Sequence, residues 1–275
     1  MLAGLLLVTQ GANVHADIRK SMPTGTIAFG TGQYVFAVGA DGSGGHAVGL
    51  GDYPAYSRTG RLAFTLNGVW VSGANGTARR RVVPRFAEYL TYASPTWSPD
   101  GRRIAYVRVD NGHETSELWI VGSSGSRLHG LSVVHVAASP SWSPDGKWIA
   151  YVGDGGLSAV LADGSGKRLL LHADVASPAW SPDGSQIAFA TRTAGVVSTS
   201  LYRVRGGAVR TIERHRGSLG PLAWSPDGRW IAYATERPEA GGSLVAIHAL
   251  RVADGSQHVV AQSFVQRLDG LAWRR

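Results

Sequence analysis

His135, His172 and His215 precede three tryptophans, Trp142, Trp180 and Trp224, by 7, 8 and 9 residues. Imidazoles at such similar offsets can ligate a metal or hold an anion if the fold carries them round one axis. Tyr89 and Tyr92 stand ahead of Trp97, Arg216 ahead of Trp224, and Arg267 ahead of Trp273. These seven residues form the candidate binding set. The histidine offset drifts by one residue each time, and no carboxylate repeats beside it, Asp174 alone being near. No metal and no other cofactor is therefore assigned.

Other chemical signals dissolve on inspection. The segment 163–168, DGSGKR, ends like a phosphate-binding loop, but Leu161 stands where its first Gly belongs and Arg168 where Ser or Thr belongs. The segment 112–117, GHETSE, starts like a zinc-binding HExxH helix but ends in Glu117 within a glycine-rich stretch. No GxSxG nucleophile elbow occurs, so no catalytic residue is assigned. The absence of cysteine excludes disulfides, thiolate metal sites and a Cys nucleophile.

The 275 residues carry a formal charge of +8, nearly all from Arg, because Lys occurs only at positions 20, 147 and 167. A basic surface favours acidic partners. No nucleic-acid-binding motif accompanies the charge, so nucleic acid is not an expected partner. Hydrophobic residues at 44% can supply a core, and 37 Gly with 12 Pro imply many turns and short strands. No apolar run reaches the length of a membrane span. Residues 1–16 carry a short apolar stretch, Leu2 to Val8, followed by Val14-His15-Ala16. They read as an export signal, although no Lys or Arg precedes the apolar stretch. Residues 17–24 read as a linker and residues 25–275 as the folded unit.

The elements that must position the candidate residues are repeats. Four segments are near copies: PTWSPDGRRIAYV, PSWSPDGKWIAYV, PAWSPDGSQIAFA and LAWSPDGRWIAYA. A fifth, PAYSRTGRLAFTL, is degenerate. The sixth is split between LAWRR at 271–275 and GTIAFG at 25–30. The anchors Tyr56, Trp97, Trp142, Trp180, Trp224 and Trp273 are spaced by 41, 45, 38, 44 and 49 residues, the period of a four-stranded propeller blade. Within each copy, Pro, Asp and Gly suit the successive positions of a tight turn. The Ile/Leu-Ala-Phe/Tyr triplet that follows suits a buried strand, its small residue letting the next blade approach. The expected fold is all-β: a six-bladed β-propeller closed by the C-terminal strand completing the first blade. The repeated Asp100, Asp145, Asp183 and Asp227 are expected to brace their own turns rather than bind cations.

This repeat resembles the PD40, or WD40-like, β-propeller family, best known from the TolB propeller. The resemblance covers residues 25–275 and rests on the four intact WSPDG copies; no GH…WD signature of ordinary WD40 repeats is present. TolB proteins also carry an N-terminal α/β domain, whereas only about 25 residues precede the first repeat here. The ring architecture, the lack of a catalytic set and the signal-like start together point to a non-enzymatic, exported module in the periplasm or outside the cell. It would act as a monomer that binds a protein or peptide, or an acidic ligand, at its channel mouth. Oligogalacturonate lyases resemble the repeat too, which implies the alternative of a lyase or hydrolase acting on an acidic glycan. Propeller peptidases carry their serine on an attached α/β-hydrolase domain, and none is expected here.

Overall fold

Each WSPDG segment folds as the same hairpin turn. In the first intact copy, Gly101 takes φ of 67°, a region open to Gly at little cost, and donates its N–H to the Ser98 carbonyl at 2.8 Å. The Ser98 hydroxyl is buried. It donates to Asp100 at 2.5 Å and accepts from the Arg103 N–H at 2.9 Å. Ser143 and Asp145, Ser181 and Asp183, and Ser225 and Asp227 repeat the first of these bonds at 2.5, 2.6 and 2.5 Å. The repeated aspartates thus serve their own turns. The serine hydroxyls hold the carboxyls of Asp100, Asp145 and Asp183 below the ordinary carboxylate value.

The structure, a computed structural model, describes residues 22–136, 139–216, 220–239, 242–265 and 268–275. The expected export signal and Arg267 lie outside the described residues. Six four-stranded antiparallel sheets form the chain, with no helix among the described residues. From inner to outer strand, the first blade is Asp269–Arg274, Thr26–Gly30, Tyr34–Gly39 and His46–Leu50. The second is Asp52–Tyr56, Leu62–Thr65, Val69–Ser72 and Arg80–Val83. The third is Leu90–Trp97, Arg103–Asp110, Thr115–Gly122 and His129–Val134. The fourth is Ser141–Trp142, Trp148–Gly153, Gly156–Leu161 and Arg168–His172. The fifth is Val175–Trp180, Gln186–Thr193, Val196–Arg203 and Val209–Arg216. The sixth is Leu222–Trp224, Trp230–Glu239, Gly242–Arg251 and Gln257–Val265.

The ring closes as the split repeat requires. Ile27 pairs with Trp273 and Phe29 with Leu271, and the Trp273 indole donates to the Thr24 carbonyl at 2.9 Å. The core is divided among the blade interfaces rather than gathered in one centre. Ala63 of the second blade packs with Ile104 and Tyr106 of the third. Ala105 meets Ile149 and Tyr151, and Ala150 meets Ile187 and Phe189. Ala188 meets Ile231, and Ala232 meets Ile27 and Phe29. The small residue of each triplet therefore seats the large residues of the next blade.

The antiparallel order sends the turns to two faces. The WSPDG turns and the turns before the outer strands share one face, here the turn face. The crossings between blades and the hairpins between second and third strands share the other, the crossover face.

Candidate functional site

The inner strands surround a channel of about 620 Å³. Three residues before the anchor, Tyr53, Ser94, Ser139 and Ser177 adopt φ of 47°, 49°, 54° and 53°, and Gly270 adopts 69°. A left-handed residue costs an ordinary side chain about 1 kcal/mol, so this repeated kink is an enforced feature of the inner strands. In the sixth blade Pro221 holds this register, and its ring keeps φ negative. Beyond the kinks the wall is built from the strands themselves, with Ala55, Thr96, Ser141, Ala179, Ala223 and Ala272 among its residues.

Pro99, Pro144, Pro182 and Pro226 line the channel at the turn face. The turns interlock there: Gly184 lies so close to Pro144 that an added Cβ would come within 3.1 Å of the proline ring. Arg58 stands in the second blade where the intact repeats carry Pro. Its guanidinium reaches across the mouth to the Pro144 carbonyl of the fourth blade at 3.5 Å. Arg274 and Arg275 line the same mouth. Arg274 stacks on the Tyr56 ring of the following blade, 5.0 Å from its centroid. Burial pushes the Tyr56 phenol up, opposed by the Arg274 charge. Arg61 and Arg103 likewise stack on Trp97 and Trp142 of the following blades, at 4.8 and 4.7 Å.

Charge is unevenly divided between the two faces. Exposed Arg102, Arg127, Lys147, Arg205 and Arg229 sit on turn-face loops, and Arg251 ends a strand there, paired with Asp254 at 3.3 Å. The carboxylates of that face brace their own turns, as do Asp41, Asp163 and Asp254 through Ser43, Ser165 and Ser256. On the crossover face Asp110, Glu114, Asp154, Asp174 and Glu239, with Glu88, offset the exposed Arg85, Arg192, Arg216 and Arg237, so that face is the less basic of the two.

The described residues among those singled out in the sequence fall on the crossover side, and none of them lines the channel. Tyr89 is exposed, and its carbonyl accepts from Asn111. Tyr92 is buried on the inner strand, where its hydroxyl donates to the Pro84 carbonyl at 3.2 Å and accepts from the Phe86 N–H at 3.3 Å, pinning a crossing. His135 is exposed and bonds Asp154 at 2.9 Å. His172 bonds the neighbouring Gly155 carbonyl at 2.8 Å, so these two histidines flank one hairpin. His215 sits within the outer strand of the fifth blade rather than in the crossing. Its Nδ1 bonds Glu213 at 2.9 Å, and its ring packs on Tyr233 of the sixth blade. Arg216 is exposed at the end of that strand. Among the described residues, no three His, Asp, Glu or Cys side chains converge to hold a metal.

Arg58, Arg274 and Arg275 were not singled out by their sequence context. The available signal was the break in the repeat at Arg58, which reads as mere degeneracy until the channel shows where it points.

No family model and no curated protein matches the sequence. Solved structures do match the fold. TolB from Acinetobacter baumannii superposes with a TM-score of 0.76 at 18% identity, over 91% of this chain and 67% of that one. A protein assigned as TolB from Agrobacterium tumefaciens gives 0.68 at 17%, over 92% and 98%. An oligogalacturonate lyase in complex with manganese gives 0.57 at 13%, over 83% and 70%. At these identities the likeness is one of fold. TolB-type propellers are structural neighbours of this six-bladed ring.

Proposed function

We propose that this chain is a PD40-type, TolB-like propeller that binds a protein or peptide at its central channel, without catalysing a reaction. The observation carrying this reading is the channel itself: about 620 Å³, lined by the inner strands with prolines, small side chains and the anchor aromatics, and with arginines at one mouth. Such a wall offers backbone groups and shape to an extended chain, and the described residues that line it include no His, Asp, Glu, Lys or Cys. The likeness to TolB structures adds support. Export to the periplasm or beyond belongs to the same reading. It rests on residues 1–16, and N-terminal sequencing of the mature protein tests it.

Site-specific photo-crosslinking tests the binding reading. A photoreactive residue replaces Thr96 in the channel wall, and in a parallel variant Leu169 on the outer rim. Adducts with a polypeptide formed from Thr96 and absent from Leu169 are the expected outcome. Adducts from neither position, or from Leu169 alone, overturn it.

A second reading, a lyase or hydrolase of an acidic glycan, draws on the basic charge and on the likeness to the oligogalacturonate lyase. Stoichiometric metal in purified protein, lost in His135→Ala and His172→Ala variants, would favour it.

A further inference from the structure

We propose that the channel takes an acidic polypeptide segment, that the segment enters from the turn face, and that Arg58 receives its carboxylates. This rests on the peptide-binding reading above and adds a chemical class and a direction of entry.

Three observations carry it. The first is the state of the Arg58 side chain. Arg61, Arg103 and Arg274 are committed to the next blade's aromatic anchor, whereas Arg58 hangs across the mouth. Among the described residues its guanidinium donates to a neutral carbonyl at 3.5 Å, the outer limit of such a contact. A carboxylate offers the same guanidinium two short charge-assisted bonds, so the exchange favours the ligand. The second is the neighbourhood. Arg274 and Arg275 line the same mouth, and the nearest repeated carboxylates already accept from their own serines and backbone N–H groups. The third is the division of charge between the faces, which draws an anionic segment towards the turn face rather than the other.

The basic face could also meet an anionic membrane. The geometry favours the peptide. Arg58 and Arg274 border a hole that a flat headgroup layer cannot enter. The exposed aromatic side chains Phe86 and Tyr89, of the kind that settle into membrane interfaces, lie on the opposite face.

The test uses fluorescence anisotropy with a labelled peptide rich in Asp and Glu, its Asn/Gln counterpart, and vesicles of phosphatidylglycerol with phosphatidylcholine. The key variant is Arg58→Pro, which restores the residue of the four intact turns and so preserves the fold; its thermal transition is recorded alongside. The acidic peptide is expected to bind the native chain and the Asn/Gln peptide not to. Arg58→Pro should weaken binding about tenfold or more, the worth of a charge-assisted bond. Raising salt from about 0.05 to about 0.5 M should weaken it too. Equal binding of both peptides, or of native chain and variant, overturns the proposal. So does vesicle binding with no peptide binding. Crosslinking from Thr96 that persists in Arg58→Pro would retain the peptide-binding reading while discarding its acidic specificity.

Discussion

Replacing Trp142 with Ala tests how the blades are held together. The indole is 6% exposed and packs with Ala105, Val107, Ile149 and Tyr151 at the junction of the third and fourth blades. Truncating a buried Trp costs about 3–5 kcal/mol in lost burial and residual cavity. Arg103, 4.7 Å from the ring, loses its stacking partner, about 0.5–1 kcal/mol more. The indole N–H has no hydrogen-bond partner among the described residues, so no hydrogen-bond loss is added. The expected destabilisation is about 3.5–6 kcal/mol, much of the roughly 5–15 kcal/mol that holds a typical domain folded. In a chain of this size each kcal/mol moves the transition by about 2–4 °C, so Tm should fall by roughly 7–24 °C. Calorimetry and urea unfolding measure it, the urea slope staying constant. A loss below about 1 kcal/mol would refute the anchoring role. A milder pair sharpens the test. The Trp97 indole donates to the Ala55 carbonyl of the preceding blade at 3.1 Å, and Trp142 has no such bond. Trp97→Phe should therefore cost about 1 kcal/mol more than Trp142→Phe, and the reverse order contradicts the hydrogen-bond argument.

Removing residues 271–275 should abolish the cooperative transition and expose the chain to protease, because it strips the inner strand from the first blade and opens the ring. Removing residues 1–5 is the control of equal length, and a comparable loss from both would contradict closure. Stability should also fall in mild acid. Burial lowers the pKa of His248 and His258 from the ordinary 6.5, His248 also feeling His215 and His258, with Glu213 opposing. The folded chain keeps these rings neutral, while the unfolded chain takes up their protons as pH drops through about 6.5. Their contribution is thus complete above that pH and lost progressively below it. His248→Gln should flatten the fall of Tm between about pH 7.5 and 5.5, and an unchanged slope assigns the effect elsewhere.

The architecture was legible in the sequence because its signals are local and repeated. A WSPDG turn is built from residues within five positions of one another, as Ser98, Asp100, Gly101 and Arg103 show. The triplet's alternation of large and small likewise predicted how Ala105 and Ala150 would seat the next blade. The candidate site was less legible. Tyr92 carried a binding residue's type and spacing, yet its hydroxyl is spent on holding a crossing. His215 stood in a presumed loop, but the outer strand runs on past it to Arg216.

The sequence by itself determined six blades, the chemistry of their turns and the strand that closes the ring. Each follows from contacts within a repeat or from counting repeats. Only the tertiary structure decided what the mouth of the channel holds. Arg58 and Pro144 are 86 positions apart along the chain, and Tyr56 and Arg274 lie near opposite ends of it. Ring closure sets such residues side by side. No local pattern records that meeting, because it depends on how all six blades pack.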